Sequence, residues 1–393
     1  MKTFIRNILY VSCLSLMLGG CKIDDDSKIS QIIVFGDSLS DGGTYQGLGL
    51  AKAGTLNGTT YSASGRFTTN PGKVWVEYLA DHYHLPLTTN RSTGPGVGPN
   101  GSSGIVLKGG NNYAEGGAQI TESPAFSSYL TDINGQLVDS AGSALTGYTI
   151  TGSECVPTGT PVSNGITASS IKDQIDRYLV DNPQVPTDAL VVVQGGSNDI
   201  IKQLYGISNC GNTYIPIAQA HIVETSTQLV QQINRLIDAG ASKVLVGTLP
   251  DLSKTPFGAA TSTEAQSLLN LMSQTINTAL QNTVVSNNKV RLADFNGFYS
   301  NVISSPNIYG ISVTTAGTAC NLDAIYTSLA AYSQTPPNPA LRSRSSVFCN
   351  EIDYVSSNAP LTYAFADSVH PTTTVHQQFA NSVYTDLQNA GWK

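Results

Sequence analysis

Four short apolar runs without regular polar alternation restrict the fold of this chain most. They are residues 31–35 (QIIVF), 189–194 (ALVVVQ), 243–248 (KVLVGT) and, more weakly, 289–294 (KVRLAD). A strand that is apolar on both faces is buried on both faces, which is typical of a parallel sheet covered by helices. The sequence therefore predicts a central parallel sheet.

Amphipathic helical periods lie between and after these runs. Each places apolar residues three or four positions apart, so that they share one helix face. Gly240 follows the second period and predicts the end of that helix. Together the periods predict the α/β class, in a three-layer α/β/α arrangement. The four apolar faces are Ile171, Ile175, Tyr178 and Leu179; Leu229, Ile233, Leu236 and Ile237; Ala265, Leu269, Met272, Ile276 and Leu280; and Val375, Phe379, Val383 and Leu387.

Three long stretches do not fit the alternation of strands and helices: residues 88–110, 121–165 and 303–361. Loops of this length in a compact domain are usually functional covers or insertions. Since no internal repeat or convincing linker divides the chain, we predict one domain over residues 31–393 with long loop insertions.

The composition excludes two classes of protein. Hydrophobic residues make up 40% of the chain, which is too many for an intrinsically disordered protein. The 20 basic and 27 acidic residues leave a net charge of −7, and no cluster of lysine or arginine is present. Nucleic-acid binding therefore has no electrostatic basis in this sequence.

The first residues have the layout of an export signal. Lys2 and Arg6 precede an apolar run over residues 8–18, which is too short to span a bilayer. The run ends as Leu18-Gly19-Gly20-Cys21, which resembles the lipobox of bacterial lipoproteins. The alternative is an ordinary signal peptide with an incidental cysteine.

The lipobox resemblance implies that residues 1–20 are a signal peptide and that Cys21 is the first mature residue and carries a diacylglycerol. Residues 21–30 would then form a charged tether to the membrane. Position 22 is lysine rather than aspartate, which favours the outer membrane of a double-membraned bacterium. We expect an exported protein that is lipid-anchored there, or else secreted.

The other cysteines predict disulfides. Once Cys13 is removed with the signal and Cys21 is lipidated, four cysteines remain in an oxidising compartment. Four cysteines allow three pairings, and the pairing Cys155–Cys210 with Cys320–Cys349 closes the shorter loops. There is no CxxC or HExxH motif and no histidine cluster, so we expect no metal site.

Three polar motifs lie where chemistry is expected in such a sheet. Residues 36–41 (GDSLSD) follow the first strand, residues 195–199 (GGSND) follow the second, and residues 367–371 (DSVHP) precede the last helix. Ligands of open parallel sheets bind beyond the carboxyl ends of the strands. Each motif alone could be a helix cap, a turn or a structural imidazole, but their order along the chain is specific.

In that order the motifs resemble the blocks of the GDSL, or SGNH, family of serine esterases and lipases. Further matching segments are residues 64–68 (SGRFT), 111–118 (NNYAEGGA), 249–252 (LPDL) and 370–372 (HPT). The resemblance covers most of the mature chain and implies a flavodoxin-like α/β/α fold. It also implies that Ser38 is the nucleophile, His370 the general base and Asp367 the partner of that base.

The same resemblance implies an oxyanion hole. Its donors would be the backbone N–H of Ser38, the backbone N–H of Gly117 and the side chain of Asn198, with Gly116 as the alternative to Gly117. The chemistry agrees with these residue types, because a serine hydroxyl needs an imidazole to accept its proton and the imidazole needs an acceptor on its other nitrogen. No cofactor is needed.

Several neighbouring polar residues have structural interpretations. We expect Asp37 and Asp199 to support their turns by hydrogen bonds and Asp41 to cap or bind backbone. His376, six residues past His370, should point elsewhere, at the surface or behind the site. Asp251 should fix its loop.

The expected function is hydrolysis of carboxylic esters through an acyl-enzyme at Ser38. The long-loop form of the motifs resembles the lipase, lysophospholipase and acyltransferase branch, so a lipid or other acyl ester is the expected substrate. Two alternatives remain: an acyltransferase to an alcohol or sterol, and a non-catalytic lipoprotein that binds lipid or glycan. We expect a monomer.

Overall fold

The structure is a computed structural model, and it describes residues 28–47, 54–56, 59–94, 104–123, 155, 168–332 and 344–393. The predicted signal peptide, Cys21 and most of the predicted tether lie outside the described residues. So does most of the predicted loop over residues 121–165.

A parallel four-stranded sheet forms the centre of the described fold. Its strands are adjacent in the order β1, β6, β7 and β8, and all neighbouring pairs are parallel. All four were predicted from their apolar runs. Their bounds are β1 Gln31–Gly36, β6 Ala189–Gln194, β7 Lys243–Gly247 and β8 Val290–Ala293.

A further extended segment, residues 111–115, runs beside the outer edge of β1. The N–H of Val34 donates to Asn111 O at 2.9 Å, and the N–H of Tyr113 donates to Val34 O at 2.8 Å. The N–H of Glu115 donates to Gly36 O at 3.0 Å. The chain crosses from one side of β1 to the other here, which is the switch point where flavodoxin-like folds bind ligands.

Two small antiparallel hairpins lie outside the central sheet. One pairs β2 (Gly54–Leu56) with β3 (Thr59–Tyr61), and the other pairs β4 (Arg91–Gly94) with β5 (Gly104–Leu107). The second hairpin falls within the stretch 88–110, so that predicted insertion has secondary structure of its own.

The helices include all four that the apolar periods predicted. Polar caps begin several of them: Ser170 Oγ accepts the N–H of Asp173, and Ser262 Oγ accepts the N–H of Ala265. Gly240 follows the fourth helix with a φ of 111°, as expected for a residue just past a helix end. The described helices are α1 Trp75–His82, α2 Ile171–Asp181, α3 Ser197–Cys210, α4 Ile215–Asp238, α5 Pro256–Ala259, α6 Thr263–Ser286, α7 Phe295–Ser304, α8 Leu322–Tyr332, α9 Ala359–Thr362 and α10 Thr373–Asn389.

The core is divided by the sheet into two layers. Ile33 and Phe35 of β1 pack with apolar residues of α2, α3, α4 and α6 on one face. Ile32 and Val34, which alternate with them, pack with α1, α7 and α10 on the other. The predicted three-layer α/β/α fold is therefore confirmed.

Both predicted disulfides are present with the pairing that closes the shorter loops. Cys155 is bonded to Cys210 and Cys320 to Cys349, with Cα–Cα distances of 5.7 and 6.1 Å. In the part of the chain that the structure describes, no helix combines the length and the apolar character needed to cross a membrane.

Candidate active site

Ser38 lies in the tight turn that follows β1. Asp37 shapes this turn, because its Oδ1 accepts the N–H of Leu39 at 3.0 Å and its carbonyl accepts the N–H of Ser40 at 3.1 Å. Gln174 of α2 fixes the end of the strand through two 2.9 Å hydrogen bonds to the backbone of Gly36. The Ser38 hydroxyl is therefore held at the carboxyl end of the sheet.

The imidazole of His370 connects Ser38 to Asp367. His370 Nε2 lies 2.8 Å from Ser38 Oγ, and His370 Nδ1 lies 2.8 Å and 2.9 Å from the two carboxylate oxygens of Asp367. All three residues are 2% exposed. The structure thus brings together the serine, histidine and aspartate that lie far apart in the sequence.

The carboxylate of Asp367 is surrounded by donors. Its Oδ1 accepts the backbone N–H of Val369 at 3.0 Å and of His370 at 2.8 Å, and its Oδ2 accepts the N–H of Ser346 at 2.7 Å. Burial alone would raise the pKa of Asp367, but the charge of His370 and the hydrogen bonds from His370 and Ser346 lower the pKa to about 2. Asp367 is therefore ionised at neutral pH and can orient the imidazole.

Phe67 packs against the ring of His370, and a second histidine, His376, is buried near it. The Phe67 ring lies 4.9 Å from the His370 ring, centroid to centroid. His376 is fully buried, and its Nδ1 accepts the backbone N–H of Trp75 at 3.3 Å. Burial, together with the nearby His370, lowers the pKa of His376 to about 3. The expectation of a surface position for His376 is therefore wrong, because α10 packs this face against α1; the expectation of a place behind the site agrees with the structure.

Asn198 lies in the first turn of α3, directly after β6. Gly196, with a φ of 115°, makes the turn from strand to helix. The Asn198 side chain is fully buried, and its Nδ2 donates to Ala118 O at 2.9 Å. One amide hydrogen therefore fixes the side chain, and the second remains for another acceptor.

Gly116 and Gly117 differ in what their N–H groups contact. The N–H of Gly116 donates to Asp41 Oδ2 at 2.9 Å, so it is not available to a ligand. Gly117 has a φ of 88°, and among the described residues no acceptor meets its N–H or that of Ser38. The geometry favours Gly117 over Gly116 as a donor.

This geometry agrees with the comparison with known families. The family described as GDSL-like Lipase/Acylhydrolase matches residues 32–383, which is most of the chain. The chain belongs to this family. The resemblance inferred from the motifs is thereby confirmed, and so is the GDSL fold.

Two relatives are similar to this GDSL-family chain at low sequence identity. A Pseudomonas putida protein described as an uncharacterized protein in the trpE-trpG intergenic region is 24% identical over 375 residues, which cover 93% of this chain and 50% of that protein. Lipase 1 of Photorhabdus luminescens is 23% identical over 242 residues, which cover 61% of this chain and 25% of that protein. The chain thus spans about half of the first relative and a quarter of the second.

Asp41 and Asp199 tie the loops of this GDSL-family site together. Asp41 Oδ1 accepts the N–H groups of Gly43 at 2.9 Å and Thr44 at 2.7 Å, while its other oxygen holds Gly116. The Asp199 carboxylate accepts the N–H of Ile120 at 3.3 Å. Burial raises the pKa of Asp37, Asp41 and Asp199 to about 7 in each case. Asp37 and Asp41 bind the backbone of their own turn, as predicted, whereas the hydrogen bond of Asp199 to Ile120 reaches a different loop from the expected one.

Asp251 also fixes its loop, as expected from the LPDL segment. Its Oδ1 accepts the N–H of Ser253 at 3.0 Å, and its Oδ2 accepts Nδ2 of Asn270 at 2.7 Å.

Three supporting groups were not found from the sequence. Gln174 lies on the buried face of α2, and its polar side chain among apolar neighbours was a signal that could have identified it. Ser346 belongs to the irregular stretch 303–361, which gave no signal. Glu115, beside the two glycines, pairs with Arg91 at 3.0 Å and Arg177 at 2.8 Å and anchors the glycine loop.

The predicted absence of a metal site stays a prediction. Across the described ranges, no group of three or more histidine, cysteine, aspartate or glutamate side chains could hold a metal ion.

Proposed function

We propose that this chain hydrolyses carboxylic esters with Ser38 as nucleophile, His370 as general base and Asp367 as the partner of that base. The observation that carries the proposal is the continuous contact from Asp367 through His370 to Ser38, with 2.8 Å between His370 Nε2 and Ser38 Oγ. Membership of a lipase and acylhydrolase family supports the same chemistry.

In the first step, Ser38 Oγ attacks the carbonyl carbon of the ester while its proton moves to His370 Nε2. The resulting imidazolium is stabilised by the ionised Asp367, which also holds Nδ1–H and thereby the correct tautomer. His370 then gives this proton to the oxygen of the leaving alcohol as the ester C–O bond breaks. The acyl group remains on Ser38.

The negative charge that develops on the carbonyl oxygen needs donors aimed at it in advance. We assign this role to the N–H groups of Ser38 and Gly117 and to the amide of Asn198. Support comes from the fixed Asn198 side chain and from the absence of another acceptor for the two N–H groups among the described residues. Such donors act most strongly in a buried site.

Water completes the cycle in the proposed reaction. His370 takes a proton from the water molecule, the resulting hydroxide attacks the acyl carbon, and the carboxylic acid leaves as Ser38 recovers its proton from His370.

We propose lipid esters, including lysophospholipids, as the substrate class, and a relative described as Lipase 1 supports a lipid substrate. The proposal predicts that an added alcohol does not replace water as the main acyl acceptor.

The decisive experiment replaces Ser38 by alanine. We expect Ser38→Ala to abolish hydrolysis of para-nitrophenyl butyrate and to leave the thermal unfolding curve unchanged. Ser300→Ala, on the exposed surface of α7, serves as the matched control and should retain full activity. Near-normal turnover by a folded Ser38→Ala protein would show that another nucleophile acts.

A further inference from the structure

An apolar cavity of about 400 Å³ lies between α3 and the start of α6. Helix α3 supplies one wall, while α5 and α6 supply the other. Its volume is within the range of small-molecule sites. The lining residues are Ile201, Leu204, Tyr205, Ile207, Ser208, Phe257, Thr261 and Ala265.

Both walls of the cavity are continuous with the candidate active site. Ile201 lies three residues after Asn198 on α3, and residues at that spacing share a helix face. On the opposite wall, the N–H of Phe257 donates to Ser368 O at 2.8 Å. Ser368 lies in the segment that carries Asp367 and His370. One wall of the cavity is therefore connected to the proposed oxyanion donor through α3, and the other to the segment of the acid–base pair through Phe257.

The chemistry of the lining selects for hydrocarbon. None of the eight lining residues carries a charged side chain. One of the two aliphatic hydroxyls, Thr261 Oγ1, already donates to Gly258 O at 2.7 Å. A glycerol, sugar or phosphate group would leave its polar atoms without partners against the aliphatic and aromatic side chains, at a cost in free energy.

We propose that this cavity binds the acyl chain of the substrate while the carbonyl carbon is bonded to Ser38. The inference rests on the proposed ester hydrolysis and adds the part of the substrate that is recognised. It places chain-length selectivity on the regular helix α3. Ile201, Leu204, Tyr205 and Ser208 form one stripe along that helix.

The stripe also sets how much of the substrate's acyl chain the cavity can bind. From Ile201 to Ser208 the helix rises about 10 Å. Ser208 is exposed, so the far end of the cavity opens to solvent. A medium acyl chain such as octanoyl fits this length, whereas the end of a palmitoyl chain would extend into water. The kcat/KM of the octanoate ester should therefore exceed that of shorter esters, and the palmitate ester should show no further increase.

The experiment uses para-nitrophenyl esters of acetate, butyrate, octanoate and palmitate, which share one leaving group. For the wild-type protein we expect kcat/KM to rise from acetate to octanoate by up to about fourfold per buried methylene, and to rise no further at palmitate. Ala265→Phe fills the cavity and should lower the ratio of octanoate to acetate kcat/KM at least tenfold.

Two further variants make the result specific to the cavity. Ala279→Phe introduces the same side chain on the same helix outside the lining and should leave the octanoate to acetate ratio unchanged. Phe257→Ala enlarges the cavity and should raise kcat/KM for palmitate relative to octanoate. This opposite shift tests the inference even if Ala265→Phe does not fold.

The outcomes separate the two proposals. A wild-type preference that is independent of chain length, or ratios unaffected by both Ala265→Phe and Phe257→Ala, would overturn the acyl cavity while ester hydrolysis stands. The same ratio change in Ala279→Phe would also overturn it. Hydrolysis of none of the esters would overturn the proposed function, and with it this inference.

Discussion

At the scale of single residues, Asn198 tests the proposed oxyanion hole because, among the described residues, its amide makes only one hydrogen bond, to Ala118 O. We expect Asn198→Ala to lower kcat by about 10²–10³ with little change in KM, since the donor acts on charge that develops only in the transition state. Steady-state kinetics measure both constants. Asn301→Ala, on the exposed face of α7, is the control, and an equal loss in that variant would contradict the assignment.

His376 gives a prediction on pH dependence. Burial, together with His370, lowers its folded-state pKa from the usual 6.5 to about 3, so the unfolded chain binds a proton more readily than the folded one. The stability that depends on its neutral form is complete above pH 6.5 and is lost as the pH falls toward 3. Over this window the free energy of unfolding should fall by up to about 1.4 kcal/mol per pH unit more in the wild type than in His376→Gln.

Denaturant unfolding at several pH values measures this difference. His221→Gln replaces an exposed histidine of α4 and should follow the wild type. Parallel pH profiles for the wild type and His376→Gln would show that the buried imidazole is not held neutral.

At the scale of elements, the disulfide Cys320–Cys349 supports the site as well as the fold. Cys349 lies three residues after Ser346, whose N–H binds Asp367, and the N–H of Cys320 donates to Ala366 O at 3.1 Å. Replacing both cysteines by alanine should lower the free energy of unfolding by about 2–5 kcal/mol. It should also lower kcat, because the donor to Asp367 is no longer fixed.

The second disulfide provides the matched comparison. Cys155–Cys210 bonds the last residue of α3 to Cys155, which packs in the core layer of α2, α3, α4 and α6, so its removal should lower stability without a comparable loss of kcat. Unfolding curves and kinetics on both double variants separate the effects. Equal kcat losses would indicate that the first disulfide acts only through global stability.

Elements with strong apolar patterns could be predicted closely, and those without them could not. The strand over residues 189–194 has the predicted bounds, because a continuous apolar run is buried on both sides. Helix α4 begins at Ile215, well before the predicted face around Leu229, because the polar residues Thr225 and Ser226 interrupt the apolar pattern of its buried face. The hairpin of β4 and β5 is short and rich in glycine, which gives no usable period.

At the scale of the whole molecule, the sequence predicted which residues meet but not what holds them. Ser38 and Asn198 follow neighbouring strands of a parallel sheet, so their proximity follows from topology. Gln174 and Ser346 bond to Gly36 and Asp367 across long sequence separations. Such contacts depend on how helices and loops pack, which residue pattern alone does not specify.

The place of the protein in the cell is a proposal at this scale. We propose that Cys21 carries a lipid that anchors the exported protein to the outer membrane. The wild-type protein should then fractionate with membranes and be released from them by detergent. The Cys21→Ala protein should not fractionate with membranes. Cys13→Ala lies within the predicted signal peptide and is the control. Identical fractionation of the wild type and Cys21→Ala would contradict the anchor.

Covalent labelling tests directly whether His370 makes Ser38 a nucleophile. The protein is treated with a fluorophosphonate, and the modified peptide is identified by mass spectrometry over time. We expect a single adduct on Ser38 in the wild type and a much slower reaction in a folded His370→Ala variant. An adduct on a different residue, or equal labelling rates in the two proteins, would contradict this expectation.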